Sequence, residues 1–149
     1  MKTLLVSACL LGCPCRYDGK SVPNEKVLAL REKYHLVPVC PEQLGGLPTP
    51  REPSERVGSR VKTKSGADFT QQFEAGAAET LYIAQTLGAE GAILKAYSPS
   101  CGKGTIYDGT FSHTKIPGSG VTARLLLENG IAVYTEDETD QLPSPDAEE

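Results

Sequence analysis

Apolar and polar residues follow one another along the chain in blocks that predict strands and helices in turn. The apolar run over residues 3–8 is rich in strand formers and predicts a buried strand. Asn24 is a good N-cap for a helix whose apolar positions, ending at Tyr34, fall at helical spacing. Residues 36–39 predict a second strand, and the prolines and glycines that begin at Pro41 exclude regular structure after it.

The middle of the chain predicts an exposed hairpin followed by a long helix. Residues 58–69 alternate between apolar and polar side chains and turn at Ser65-Gly66. Asp68 is expected to cap the helix and Gly88 to end it. The apolar stripe of this helix consists of Phe69, Phe73, Ala77, Leu81, Ala84 and Leu87. Its spacing of three or four residues predicts that one face packs against a sheet.

The last third of the chain predicts one more strand, helix and strand. Apolar runs over residues 92–96 and 131–134 predict the third and fourth strands, and residues 121–128 predict a helix between them. The Gly-rich loop 105–119 is compatible with a hairpin that turns at 108–109. Because strands alternate with helices, we expect right-handed crossovers. The fold class predicted is α/β, a Rossmann-like three-layer sandwich with a mostly parallel four-stranded sheet.

Composition and charge are those of one ordinary globular domain with an acidic C-terminal segment. The 149 residues are 39% hydrophobic and 23% charged, which argues against a disordered chain and against a membrane protein. The net charge of −4 arises from residues 136–149, which hold seven acidic residues and no basic one. In residues 1–135 the 15 Lys and Arg exceed the remaining 12 Asp and Glu by three. We therefore predict a domain over 1–135 and an acidic, disordered tail over 136–149.

The number of cysteines and the N-terminal residues indicate the cellular compartment of the protein. The five cysteines are an odd number, and the N-terminal residues lack the apolar core of a signal peptide, so a secreted disulfide framework is not indicated. No apolar run approaches the roughly 20 residues of a membrane span. These features predict a cytoplasmic protein with reduced thiols.

Three cysteines follow three different predicted strands. Cys9, Cys40 and Cys101 each lie close to the carboxyl end of a strand. Because the carboxyl ends of parallel strands meet at one edge of the sheet, these thiols are expected to converge. Scattered buried thiols would explain any one of them, but their shared placement favours a common metal or cluster site.

Two further cysteines, in the segment Cys13-Pro14-Cys15, leave the number of ligands open. Either thiol could complete a closed four-thiolate site, whereas three ligands would leave one metal position free for a substrate. Thiol redox chemistry is a weaker alternative because the spacing is not that of a C-x-x-C motif.

Polar side chains near these cysteines are candidates for catalysis and substrate binding. Glu42 lies two residues after Cys40, and a carboxylate there could act as a general base or could serve as a surface or capping group. Ser98 and Ser100 precede Cys101, where they could serve a substrate or cap a turn. Lys103 follows Cys101, with solvated surface as the alternative role.

A basic stretch follows the second cysteine. Its five cations are Arg51, Arg56, Arg60, Lys62 and Lys64. They could form a track for phosphate groups beside the cysteines, or the solvated face of a hairpin. His35 and His113 are expected to be surface residues, and the few aromatic residues of this stretch give no sign of sequence-specific RNA reading.

Three separated motifs carry a resemblance to a known family. They are SACLLG at 7–12 with RYDG at 16–19, VCPE at 39–42 with GGLP at 45–48 and PR at 50–51, and SPSCG at 98–102. In this order they resemble the bacterial domain-of-unknown-function 523 family, and the likeness covers about residues 1–135. That family includes enzymes that remove sulfur from thiouracil and from 4-thiouridine in tRNA.

The resemblance implies a cofactor and a reaction. It implies a [4Fe-4S] cluster held by Cys9, Cys40 and Cys101, with one iron free of protein ligands, and catalytic roles for Glu42 and Ser98. The implied reaction is a hydrolytic, non-redox desulfuration of a thiolated uracil, above all 4-thiouridine in tRNA or as a free nucleoside or base. Cys13 and Cys15 do not match the family's ligands. A non-catalytic iron–sulfur or zinc domain with a closed four-thiolate site is the alternative.

Overall fold

The computed structural model describes residues 1–145 and contains a four-stranded parallel sheet between helices. The strands are β1 Thr3–Ser7, β2 His35–Val39, β3 Ser54–Val57, β4 Arg60–Thr63, β5 Gly91–Leu94, β6 Thr105–Tyr107, β7 Lys115–Pro117 and β8 Ala132–Thr135. The helices are α1 Glu25–Ala29, α2 Pro41–Leu44, α3 Thr70–Thr86 and α4 Val121–Glu128. Short 3₁₀ turns occupy Ala8–Leu11, Leu30–Glu32 and Thr139–Gln141.

The main sheet has the strand order β2-β1-β5-β8, and all its pairings are parallel. Ser7, the last residue of β1, pairs with Val39, the last residue of β2. Val6 pairs with Ile93 of β5. The carboxyl ends of β1, β2 and β5 therefore lie at the same edge of the sheet, as the sequence predicts.

Both faces of the sheet are buried. Leu4 and Val6 pack with Val27 of α1 on one face, while Leu5 packs with Ala84 of α3 on the other, together with residues of α4. Successive side chains of a strand point to opposite faces, so an uninterrupted apolar run such as β1 is buried from both sides. This arrangement confirms the predicted three-layer α/β sandwich.

The helix ends confirm one predicted cap and correct another. The Asn24 side chain accepts a hydrogen bond from Val27 N at 3.1 Å, and α1 begins at the next residue, Glu25. Asp68 accepts a hydrogen bond from Thr70 N at 2.9 Å, but the N-cap of α3 is Phe69, one residue later than predicted. The prediction that Leu87 belongs to the buried stripe is wrong: it lies at the C-terminal end of α3 and is 51% exposed.

Two local predictions are corrected by the structure. Regular structure does not stop at Pro41, because α2 begins there and a proline at the first helical position needs no amide partner. The two-stranded sheet of β3 and β4 reverses at Gly58, whose φ is +63°. Ser65 and Gly66 form a second reversal, closed by a 2.9 Å hydrogen bond from Thr63 N to the Ala67 carbonyl.

The first part of the acidic segment packs against the domain. Glu136 accepts a hydrogen bond from Ala96 N at 2.8 Å and pairs with Lys95 Nζ at 3.0 Å. Glu138 pairs with Lys103 at 3.0 Å. These carboxylates form specific contacts that a charge count along the sequence does not reveal. For residues 146–149, which lie outside the described residues, disorder stays a prediction.

Two glycines let α2 contact α3 through their backbones. An ideal Cβ at Gly76 of α3 would lie 1.8 Å from the Pro41 carbonyl oxygen, and one at Gly45 would lie 1.9 Å from the Gln72 carbonyl oxygen. Backbone atoms cannot move aside as a flexible side chain can. Glycine at these two positions therefore permits the close contact that positions α2, and with it Glu42, against the rest of the domain.

We expect Gly76→Ala to lower the free energy of unfolding by about 3 kcal/mol or more, because the new methyl group collides with the Pro41 carbonyl. Helix propensity alone predicts the opposite, a gain of about 1 kcal/mol. Urea unfolding followed by circular dichroism measures the difference. Ala78→Gly, at an exposed position of the same helix, is the control and should cost only about 1 kcal/mol. A Gly76→Ala variant as stable as the parent would contradict the close contact.

Candidate active site

A cavity of about 420 Å³ lies at the carboxyl ends of β1, β2 and β5. Its volume is typical of small-molecule sites, which span about 300–1,000 Å³. Four of the five cysteines line it: Cys9, Cys15, Cys40 and Cys101. The strand ends have thus brought together thiols that are far apart in the sequence.

The three cysteines expected to converge do so on separate supports. Cys9 lies in the 3₁₀ turn that follows β1, Cys40 is the N-cap of α2, and Cys101 lies in the loop after β5. Cys9 is 8% exposed and Cys101 is 6% exposed. Cys9 and Cys101 are therefore shielded from bulk solvent, Cys40 is half-buried, and all three line the same cavity.

The sequence leaves open whether Cys13 or Cys15 is a ligand, and the two cysteines have different environments. Cys13 is exposed and does not line the cavity. Cys15 is buried and lines the cavity together with Cys9 and Cys40. The Cys40 thiol also donates a hydrogen bond to the Cys15 carbonyl oxygen at 3.7 Å. Of this pair, only Cys15 is placed to interact with a group bound in the cavity.

The pKa values of three cavity thiols, those of Cys15, Cys40 and Cys101, are raised above the usual value of a cysteine. The hydrogen bond with Cys40 lowers the pKa of Cys15, but the hydrogen bond with Cys9 and burial outweigh it and raise that pKa to about 11. The hydrogen bond with Cys15, then burial, raises the pKa of Cys40. Burial raises the pKa of Cys101 to about 12. A metal group bound here must therefore displace protons from its ligands.

The donor set fits an iron–sulfur cluster better than one metal ion. Within residues 1–145 no group of three or more His, Cys, Asp or Glu side chains is arranged to hold a single ion. A closed zinc site needs four sulfurs converging on one point at about 2.3 Å. An iron–sulfur cluster offers separate irons to separate thiolates, so buried thiols spaced around a cavity suit it.

Glu42 is fixed by a buried arginine. Arg51 Nε donates a hydrogen bond to Glu42 Oε1 at 2.9 Å, and the two side chains are 6% and 19% exposed. The other guanidinium nitrogens donate to the carbonyls of Pro48 and Cys15 at 3.1 and 3.0 Å and to Thr49 Oγ1 at 2.9 Å. Within residues 1–145 no hydrogen bond is made to Glu42 Oε2. One carboxylate oxygen is thus held, and the other is free to meet a ligand in the cavity.

The two candidate serines lie in different places. Ser98 lines the cavity, and its hydroxyl oxygen accepts hydrogen bonds from the amides of Ser100 and Cys101 at 3.1 and 3.0 Å. The hydroxyl therefore caps the turn that carries Cys101, and its own proton is directed away from those amides. Ser100 is 1% exposed, bonded to Thr122 Oγ1 at 2.8 Å, and does not line the cavity.

Among the basic candidates, Lys64 lines the cavity and is exposed. Arg60 pairs with Asp68, and Lys103 pairs with Glu138. The others, Arg56 and Lys62, also lie outside the cavity lining. Arg56 instead donates hydrogen bonds to the Ser119 and Gly58 carbonyls. The hairpin thus borders the site, and of the five cations of the basic stretch Arg51 and Lys64 line the cavity.

Sequence reasoning missed several residues of the site. The sequence shows Arg51 as a member of a basic stretch and of a family motif, but not that it holds Glu42. Besides Tyr17 of the RYDG motif, the cavity is lined by four aromatic side chains: Tyr97, Tyr107, Phe111 and His113. His113 is exposed, as expected of a surface residue, and also borders the cavity. A weak signal was present, since three of these four residues lie in the Gly-rich loop.

A second cavity, of about 580 Å³, lies between the start of α1 and the C-terminal segment. Its lining includes Glu25, Glu136, Asp137 and Asp140 but no cysteine and no aromatic side chain. Repelling carboxylates without a nucleophile or a soft ligand offer no comparable chemistry. The cysteine-lined cavity is therefore the candidate active site.

Comparison with known proteins agrees with the family motifs. The family model described as 2-thiouracil desulfurase matches residues 4–138. The chain belongs to the 2-thiouracil desulfurase family. All four cysteines of the cavity, Glu42 and Ser98 lie inside the region that the 2-thiouracil desulfurase model matches.

Two relatives place the chain more closely within the 2-thiouracil desulfurase family. It is 46% identical over 149 residues to the uncharacterized protein YbbK of Bacillus subtilis (strain 168), covering 93% of this chain and 99% of that protein. It superposes with a TM-score of 0.90 and 44% identity on the solved [4Fe-4S]-dependent thiouracil desulfidase TudS (DUF523Vcz), over 95% of both chains. The resemblance to the domain-of-unknown-function 523 family is thereby confirmed. Within residues 1–145 no helix has the length and apolar character needed to cross a membrane.

Proposed function

We propose that the protein is a [4Fe-4S]-dependent desulfidase that removes sulfur from thiolated uracil by hydrolysis. The observation that carries this proposal is the convergence of Cys9, Cys40 and Cys101 on a cavity that also contains Glu42. Membership of the 2-thiouracil desulfurase family and the 44% identity to a [4Fe-4S]-dependent thiouracil desulfidase support it.

The three strand-end cysteines are the residues that would hold the cluster. They are the cavity thiols carried by three separate structural supports, and thiolate is the usual ligand of iron–sulfur clusters. The chemistry that the cluster supplies when bound is soft Lewis acidity, which favours a thiocarbonyl sulfur over an oxygen. The five free cysteines fit a reducing compartment, and we place the reaction in the cytoplasm.

Glu42 is the proposed general base. Arg51 holds Oε1, so Oε2 is the oxygen that accepts a proton from the water attacking the ring carbon. The carbon–oxygen bond forms as the carbon–sulfur bond breaks, and the sulfur leaves as hydrosulfide. Water supplies the oxygen of the product; one of its protons leaves with the sulfur, and the other passes from Glu42 to solvent. The reaction therefore consumes one water per sulfide released and needs no electron donor.

Ser98 is the proposed group that orients the substrate ring. Because its oxygen already accepts two backbone amides, the hydroxyl proton is available to a ring nitrogen or carbonyl in the cavity. The same two hydrogen bonds fix the turn that carries Cys101. One side chain thus links the position of a cysteine to that of the substrate.

The test of this proposal is turnover by protein reconstituted anaerobically with iron and sulfide. Loss of the near-ultraviolet thione absorbance of 2-thiouracil, 4-thiouracil or 4-thiouridine, with release of one sulfide per thione lost, is the expected result. The same protein without the cluster is the control and should be inactive. A loaded protein that leaves all three compounds intact would refute the proposed reaction.

For the physiological substrate we propose 4-thiouridine, either as part of tRNA or as a free nucleoside. The exposed Lys64 at the cavity supports a phosphate-bearing substrate. Lys64 is the basic candidate with which a phosphate next to a bound nucleoside would make contact.

We expect Lys64→Gln to weaken turnover of 4-thiouridine-containing tRNA several-fold, while turnover of free 4-thiouridine changes much less. Losing one phosphate contact should also lower the slope of log(kcat/KM) against log salt concentration by about 1. Lys33→Gln is a matched control, since Lys33 is exposed and precedes β2 at the opposite edge of the sheet. Equal effects of Lys64→Gln on both substrates would argue against a tRNA contact.

A closed four-thiolate site is the second candidate, and Cys15 is the observation that favours it. This buried thiol lines the same cavity as Cys9 and Cys40, so it is placed to serve as a fourth ligand. A closed site would make the protein a binding or sensing module, because no metal position would remain for a substrate.

A further inference from the structure

One wall of the candidate active site is built from aromatic side chains. It consists of Tyr97, which follows β5, Tyr107 at the end of β6, and Phe111 and His113 in the loop between β6 and β7. We call this set the aromatic wall. No role is assigned to it by the proposed chemistry, which uses thiols, a carboxylate and a hydroxyl.

Three members of the aromatic wall have an unusual backbone. The φ angles of Tyr97, Phe111 and His113 are 68°, 59° and 61°, and no other non-glycine residue in the described part of the chain has a positive φ. For bulky side chains such angles cost on the order of 1–3 kcal/mol each and persist only where surrounding contacts impose them. Backbone strain in the domain is therefore concentrated on this wall.

Specific contacts hold the wall in place. Glu55 accepts hydrogen bonds from Gly109 N at 3.0 Å and from Phe111 N at 3.2 Å, which joins the loop to β3. Gly109 lies so close to β3 that a Cβ on it would be 2.6 Å from the Arg56 carbonyl oxygen. The Lys115 ammonium lies 3.8 Å from the centre of the Tyr97 ring. The wall is therefore positioned before any ligand binds.

The rings are not stacked face to face on one another. Tyr97 and Tyr107 lie 6.3 Å apart at an angle of 48°, and Tyr107 and His113 lie 6.2 Å apart at 83°. Tyr97, Tyr107 and Phe111 are only partly buried. Ring surface therefore remains available at a cavity whose other walls carry thiols and a carboxylate.

We propose that the aromatic wall binds the planar pyrimidine ring of the substrate, and of its desulfurated product, by stacking. This inference rests on the proposed function, because that function supplies the pyrimidine. Stacking of a base on an aromatic side chain contributes about 1–3 kcal/mol and does not depend on which atom carries sulfur. The wall thus sets the affinity for the ring, while the reacting groups act on the thiocarbonyl.

The test is binding of uracil to the cluster-loaded protein, measured by equilibrium dialysis. Uracil has no thione, so its binding does not depend on turnover. Tyr107→Leu and Phe111→Leu are each expected to raise the Kd about 10-fold or more, whereas Tyr107→Phe, which keeps the ring, retains binding within about 2-fold. Tyr82→Leu, on an aromatic residue of α3 that is 65% exposed and outside the cavity, is the control and should not change the Kd.

The outcomes separate this inference from the proposed function. Near-ultraviolet circular dichroism and cluster absorbance establish that the variants are folded and loaded. Wild-type turnover of thiouracil together with an unchanged Kd in both leucine variants would overturn the role of the wall and leave the desulfidase intact. Uracil binding that is lost in both leucine variants, without any turnover by the wild type, would support the wall and reject the desulfidase.

Discussion

Replacement of Glu42 by Gln is expected to lower kcat for thiouracil desulfuration by at least about 100-fold, the lower end of what a general base contributes. Glutamine has the same shape, and its carbonyl oxygen can still accept the hydrogen bond from Arg51. It cannot take a proton from the attacking water. The loss should therefore appear in kcat, with little change in KM. The measurement is the initial rate of thione loss under anaerobic conditions.

The control for this variant is its cofactor content. Iron, sulfide and the visible absorbance of the cluster should equal those of the parent, because Glu42 is not among the proposed ligands. Glu32→Gln, at an exposed position before β2, should have the parent's rate. If Glu42→Gln keeps more than half of the parent's kcat with full iron content, the assigned proton transfer is wrong.

Replacement of Cys101 by Ala is expected to remove the bound cluster and all turnover, the largest effect predicted for this protein. Cys101 is the proposed ligand from the loop after β5, and the remaining pair would leave two irons without protein ligands. Iron analysis and visible absorbance after reconstitution measure the loss. Cys9→Ala and Cys40→Ala should behave in the same way, since each supplies a thiol from a separate strand end.

The two remaining cysteines provide matched controls. Cys13→Ser should keep full iron content and activity, because this thiol is exposed and outside the cavity. Cys15→Ser decides between the two candidate functions. If the cluster has three protein ligands, the Cys15→Ser variant keeps its cluster and its activity. If four thiolates close the site, the variant loses iron. Loss of iron from Cys15→Ser, with a parent that lacks desulfidase activity, would favour the binding module.

The sheet and the convergence of the cysteines follow from local patterns. Leu4, Leu5 and Val6 form an uninterrupted apolar run, and all three are fully buried because helices cover both faces of a parallel sheet. The rule that ligands bind at the carboxyl ends of such strands then places Cys9, Cys40 and Cys101 together. Both steps use only short stretches of sequence and the order in which they occur.

The parts of the site that sequence reasoning missed depend on long-range contacts. Arg51 contacts the Cys15 carbonyl 36 residues earlier in the chain, and Glu55 contacts Phe111 56 residues later. No periodicity links such pairs. The positive φ angles of Tyr97 and Phe111 were equally hidden, because non-glycine residues rarely adopt them and tertiary contacts impose them here.

The packing of the C-terminal segment has a practical consequence for recombinant work. A chain truncated after residue 135 would lose Glu136, the partner of the Ala96 amide and of Lys95, two residues that line the active-site cavity beside Tyr97. It would also lose the hydrogen bond from Tyr34 to the Pro143 carbonyl. A purification tag or fusion partner should therefore be joined beyond residue 145, where it leaves these contacts and the cavity wall undisturbed.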